Sequence, residues 1–323
     1  MTKLAKDNLF VLVKSMTKSE KRQFKLYIGR LGVNEDSKFL LLFKVLDGLK
    51  AYSETAILKD GFVKKKQLSN LKAHLYKQIL ISLKLNPSHQ NLRIQLREQL
   101  DFATILYHKG LYKQSLKILD KAKSLAIKNQ EKNIAYEIVE LEKVIESQYI
   151  TRSLSNRADE LTIQAKELSH QNVIASKLSN LSLQLYGLFL KTGYVKNDSE
   201  YQKVTDYFNK RMPGYKIEAL GFREKLWLYK SYLWYSFLIQ DFKSCYKYAR
   251  KWVDLFYDNE TMIPLNPVFF SQGLSVFIRG FVFSKTPSKI QKCSQWFWKN
   301  NSKVLVSTRR QYRWVGVSLF VLK

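Results

Sequence analysis

The chain has 323 residues, 46% of them hydrophobic, with 12 Gly and 5 Pro; this is enough apolar material for a sizeable core and too few turn residues for an all-β protein. Its 55 basic and 27 acidic residues leave a net charge of +28, distributed as +11 over residues 1–90, +7 over 91–270 and +10 over 271–323. Such charge attracts nucleic acid, anionic lipid or an acidic protein, and lysine-rich solvated helix faces give the same balance, so charge alone excludes none of these. Cys245 and Cys293 lie far apart with no CxxC pair, which indicates neither a disulfide framework nor a Cys-based zinc site and fits a reducing, cytoplasmic setting.

In the first sixteen residues only Phe10 to Val13 is an apolar run, too short for a signal-peptide core. Thr17 and Glu20 have capping-box spacing and open a helix through Lys21, Phe24, Leu26 and Tyr27 that Gly29 and Gly32 end. A second helix is predicted over about residues 38–51, with Phe39, Leu42, Phe43, Val45 and Leu46 on its buried side. A third, over about residues 65–85, places Leu68, Leu71, Leu75, Ile79 and Leu83 at three- and four-residue steps and stops before Asn86-Pro87. Residues 1–90 therefore read as a small, basic three-helix head. Lys64, Lys65, Lys66, Lys72 and Lys77 are candidate nucleic-acid contacts in the manner of a helix-turn-helix; the competing interpretation is the wet face of an amphipathic helix, since no Arg or Asn cluster is placed for bidentate base contacts.

From Asn91 to His108 and from Leu111 to Lys128, apolar residues recur at helical steps on two segments joined by a tight turn, which predicts an antiparallel helical hairpin. Phe102, Ala103 and Leu106 precede the turn, and Gly110, Tyr112, Ser115, Leu119 and Ala122 follow from it, a series that resembles the tetratricopeptide repeat. Gly110 suits the sharp helix exit, Tyr112 a wedge between helices, and small Ser115 and Ala122 a close helix approach. The family's tryptophan position holds Gln99 and its closing proline position holds Ile127. A weaker copy has Tyr229, Tyr232 and Leu233 on one helix and Asp241, Phe242, Cys245 and Ala249 after the turn, with bulky Trp252 where a small residue is expected. Segments 131–149 with 155–169, and 172–191 with 198–211, are expected to pair as further hairpins, the second with a Gly193-Tyr194 turn. The fold expected over residues 91–270 is an all-α, right-handed solenoid of four stacked hairpins, each covering its neighbour's apolar face. Tyr107, His108, Tyr186 and Tyr235 read either as gripping residues or as core.

The chain also resembles a group of helical-repeat proteins of Bacteroidetes bacteria, through Lys18-Ser19-Glu20-Lys21-Arg22, Phe24-Lys25-Leu26-Tyr27, Leu106-Tyr107 and the run from Lys109 to Tyr112. The resemblance covers about residues 1–270 and implies a cytoplasmic protein with a helical head and a repeat stack. It carries over no catalytic residue and no ligand.

Residues 271–323 differ from the rest: Asp and Glu make up 27 of the first 270 residues and none of the last 53, and Gln295-Trp296-Phe297-Trp298, Val304-Leu305-Val306 and Trp314-Val315-Gly316-Val317 show no sustained helical stripe. A change of reading frame after Phe270, a functional basic aromatic tail and an irregular cap all fit this pattern. On the first of these, removing the chain beyond about Asn266 is expected to cost little stability. Thr261 to Ile278 is uncharged, but Pro264, Asn266, Pro267, Gln272 and Gly273 interrupt it, so no membrane span is expected.

No chemistry emerges from the motifs. His74, His89, His108 and His170 have no metal-ligand spacing, no glycine-rich phosphate loop or GxSxG elbow occurs, and Cys245 takes a small packing position. Glu137, Glu140, Glu142 and Glu146 read as a solvated helix face in which Lys143 accompanies Glu142 and Glu146. The expectation is a noncatalytic scaffold or adaptor without metal, cofactor or small-molecule substrate, holding a protein or peptide partner on the concave face of residues 91–260. The alternative is a nucleic-acid-binding regulator that uses its basic head.

Overall fold

The computed structural model describes residues 7–32, 37–59, 61–148 and 156–283, and among them every regular element is a helix and none is a strand. They fall into two compact units, one within residues 1–95 and one from residue 96 onward.

The first unit holds α1 (Asn8–Ser15), α2 (Lys18–Arg30), α3 (Lys38–Gly48), α4 (Glu54–Lys59) and α5 (Lys65–Leu85). The capping box of α2 is complete: the Thr17 hydroxyl accepts from the Glu20 amide and the Glu20 carboxylate accepts from the Thr17 amide. Burial alone would raise the Glu20 carboxyl, but hydrogen bonds from Thr17 and from His89, whose Nε2 lies 2.6 Å away, hold it below its ordinary value. Among the described residues five α-helices replace the three expected. The two additions, eight and six residues long, are too short to display a helical period, yet Leu9, Val13 and Ile57 are buried in the shared core with Phe24, Phe43 and Ile79. α1 packs on α3 and α5, α2 on α5, and α3 on α4 and α5.

The second element set comprises α6 (Leu92–His108), α7 (Tyr112–Lys128), α8 (Lys132–Gln148), α9 (Arg157–Thr192), α10 (Asp198–Arg211), α11 (Phe222–Leu238), α12 (Phe242–Tyr257), α13 (Met262–Leu265) and α14 (Pro267–Phe283). Packing runs from α7 to α8 to α9, from α9 to α11, from α11 to α12 and from α12 to α14. Segments 155–169 and 172–191, expected to belong to two hairpins, instead form the single 36-residue α9. No glycine or proline interrupts Ser169-His170-Gln171-Asn172, and the buried series Leu161, Ala165, Leu168, Ala175, Leu178, Leu185 runs through without a break. One helix thus packs on α8 and on α11, so four separate hairpins do not form.

The chain keeps a packed core beyond residue 270. Phe270 and Leu274 of α14 are buried against α12, and Phe277 stacks on Tyr246 at 5.4 Å. A Cβ on Gly273 would lie 3.0 Å from the indole of Trp252, so this glycine accommodates the tryptophan that stands at an otherwise small position. Because α14 covers Trp252 and Phe256, truncation at Asn266 removes part of a core, contrary to the small cost expected from sequence. The runs at 295–298, 304–306 and 314–317 and Cys293 lie outside the described residues.

Candidate functional site

The hairpin α6–α7 and the hairpin α11–α12 share one geometry, 130 residues apart. Leu111 N–H donates to the Leu106 carbonyl at 2.9 Å and Gly110 N–H to that of Tyr107 at 2.9 Å; Asp241 N–H donates to Ser236 at 2.9 Å and Gln240 N–H to Phe237 at 3.2 Å. Gly110 and Gln240 both have positive φ, 74° and 60°, completing a Schellman turn in each case. Gln240 takes the glycine position without being a glycine, and its side-chain amide donates to the Val195 carbonyl at 2.9 Å. Below each turn a small side chain bonds the facing helix twelve residues back: Ser115 Oγ to Ala103 O at 2.8 Å, and Cys245 Sγ to Leu233 O at 3.9 Å. A third turn of this kind closes α7, with Gln130 at φ 60° and Glu131 N–H bonded to Ala126 O at 2.8 Å.

Ala103, Ser115, Leu119 and Ala122 are buried, as are Leu233, Cys245 and Ala249, while Leu106 and Tyr112 are half-buried. Phe102 and Phe242 depart from the packing role their repeat positions suggest, being 45% and 43% exposed. On α6 the seam Leu96, Leu100, Ala103 faces inward, and Phe102, one residue away, is rotated about 100° from it. Ile105, three residues on and 53% exposed, joins Phe102 in an apolar surface pair. The four doubtful aromatics divide: His108 is exposed, Tyr107 donates to Gln148 at 2.9 Å, Tyr186 is exposed beside Trp234, and Tyr235 is stacked on Phe208 at 4.1 Å. Burial pushes the Cys245 thiol up to about 12. Native protein treated with iodoacetamide near neutral pH is therefore expected to leave Cys245 unmodified; mass spectrometry showing rapid alkylation there would contradict its packed geometry.

Two buried charge clips tie these helices together. Lys123 of α7 meets Glu142 of α8 at 2.6 Å, and Arg157 of α9 reaches Glu142 and Asp120 at 3.3 Å and Glu146 at 3.8 Å. Glu142 is completely buried, and burial raises its carboxyl above the ordinary value despite Lys123 and Arg157. This corrects the solvated-face assignment: Lys143 pairs with Glu140 at 2.8 Å, and Glu142 takes its place among Ala135, Ile138 and Ile145 on the inward face. In the second clip, Lys132 of α8 lies 3.1 and 3.3 Å from the two carboxylate oxygens of Glu224 on α11. A Cβ on Gly221 would fall 2.6 Å from the Lys132 ammonium, so the glycine makes room for the pair. Sequence spacing gives no access to a contact across 92 residues.

In the first unit Lys64, Lys65, Lys66 and Lys77 are exposed on or beside α5. Lys72 is separated from them in role: its ammonium pairs with Asp7, bonds the Tyr52 hydroxyl at 3.0 Å and lies over that ring. Burial lowers its pKa, but the bonds to Asp7 and Tyr52 prevail and raise it, making Lys72 an internal clamp. No group of three or more His, Cys, Asp and Glu among the described residues is placed to hold a metal ion, and no described helix is long and apolar enough to cross a membrane. No protein family, curated protein or solved structure matches the chain.

Proposed function

We propose that the chain is a noncatalytic, cytoplasmic helical-repeat scaffold that holds a protein or peptide partner on a concave face built from residues 91–260, in a right-handed, tetratricopeptide-like stack. The observation that carries this proposal is the recurrence, 130 residues apart, of one hairpin with the same Schellman turn and the same bond from a small side chain to the facing helix. Units that repeat in this way cover one another's apolar faces and leave a continuous surface of first helices, the kind of surface on which an extended or helical segment docks. The exposed pair Phe102 and Ile105 supplies apolar anchors on the first of these helices.

The test is affinity capture with immobilised full-length protein from nuclease-treated extract. A protein recovered reproducibly and retained as salt rises is the expected result; recovery of nothing above background would contradict it. A second reading, a nucleic-acid-binding regulator, is supported by the exposed Lys64, Lys65 and Lys66 at the start of α5 and the exposed Lys77 further along it. It requires binding of DNA or RNA that weakens steeply with salt, measured by fluorescence anisotropy on the full chain.

A further inference from the structure

Lys230 on α11 lies among three aromatic rings and, among the described residues, faces no anion. Its Nζ is 5.0 Å from the ring centroid of Trp227, one turn earlier, 5.2 Å from that of Phe269 on α14 and 5.8 Å from that of Trp252 on α12. The cage is braced, with Trp227 and Phe269 meeting edge to face at 5.4 Å and Trp252 only 2% exposed. Lys123 and Lys132, the buried lysines of the described helices, each meet a buried glutamate. Lys230 has no carboxylate partner among the described residues; burial pushes its pKa down and no charged neighbour contributes. The residue is half-buried, so part of its surface meets solvent.

An ammonium in this cage gives up water on the ring side and receives only cation–π attraction in return. Deprotonation relieves that cost and frees a lone pair, the condition that turns an enclosed lysine into a nucleophile. We propose that Lys230 is a covalent modification site that accepts a short acyl group from an activated acyl donor, an acyl phosphate or an acyl thioester. The amine lone pair attacks the donor's carbonyl carbon and forms a C–N bond. The C–O bond to phosphate or the C–S bond to thiol breaks, the leaving group departs with the electron pair, and the surplus proton on nitrogen passes to water. The product is an uncharged amide, which carries no ion into the ring cage, and apolar walls favour a small acyl chain such as acetyl.

The experiment treats full-length protein with limiting acetyl phosphate in one arm and an acetyl thioester in the other, at neutral pH and at high pH. Labelling at each lysine is then followed by mass spectrometry. At neutral pH Lys230 is expected to react at least about threefold faster than Lys243, Lys247 and Lys251, which are exposed on α12, because its lowered pKa leaves more of the amine neutral and weaker nucleophilicity offsets only part of that gain. The lead should shrink at high pH, where exposed amines are neutral as well, and should fall in Trp227→Leu and Phe269→Leu. A lead in only one arm identifies the donor class. Equal labelling of Lys230 and the α12 lysines at neutral pH in both arms overturns the proposal, as does a lead unchanged in both cage variants when these melt like the parent. If a variant fails to fold, the wild-type comparison decides by itself.

Discussion

Ending the chain after Asn266 is expected to abolish or severely lower the melting transition of the helices from α7 to α12. The deletion removes Phe270 and Leu274, which are 1% and 4% exposed, and uncovers Trp252 and Phe256, which are 2% and 0% exposed. A large apolar side chain contributes about 1.5–3 kcal/mol on burial, so losing two and uncovering parts of two more costs roughly 5 kcal/mol or above. That is comparable with the whole stability of an ordinary domain, about 5–15 kcal/mol. Thermal melting followed by circular dichroism gives the answer, and a truncated chain that melts within a few degrees of full length would show that α14 is dispensable. Gly273→Val offers a point version: it drives a branched side chain into the Trp252 indole and should destabilise in the same direction.

Glu224→Leu is expected to cost about 3–5 kcal/mol, because it strands the Lys132 ammonium at a buried position with Gly221 packed beside it. The pair as a whole is a different matter. Replacing both partners, Lys132→Met with Glu224→Leu, removes two desolvation penalties together with the attraction, so the double variant should regain most of the loss. Chemical denaturation of the single and double variants separates these effects. A single variant within about 1 kcal/mol of the parent would mean that the carboxylate contributes nothing to holding α8 against α11.

Sequence periodicity located most helices because long amphipathic segments announce their period and often their ends: α5 starts and stops where leucine spacing and Asn86-Pro87 place it, and α10 spans the expected 198–211. It missed α1 and α4, which are shorter than two and a half turns, and it divided α9, since helix pairing was inferred from an expected hairpin length although no breaker residue stands between Ser169 and Asn172. The two repeated turns were legible in part. Gly110 announced a positive φ, whereas Gln240 did not, since it is not a glycine and its side-chain bond to Val195 is made only in the fold. The charge clips left one readable trace: Glu142 interrupts the apolar series Ala135, Ile138, Ile145, which places a carboxylate on the inward face before its partners are known. Glu224 gives no such signal, because α11 is buried nearly all round. The Lys230 cage draws on α11, α12 and α14, and only tertiary packing brings Trp227, Trp252 and Phe269 to one ammonium.

The scaffold proposal is tested most directly by capturing partners with full-length protein beside the double variant Phe102→Asp with Ile105→Asp. Both positions are about half exposed on α6, so the variant should keep its melting temperature while placing two charges on the proposed docking surface. The expected outcome is a protein partner that the parent retains at high salt and the variant loses at least tenfold, about 1.4 kcal/mol of binding energy. Equal capture by parent and variant would remove Phe102 and Ile105 from the docking surface, and recovery of nothing, or of nucleic acid alone that washes off with salt, would contradict the scaffold.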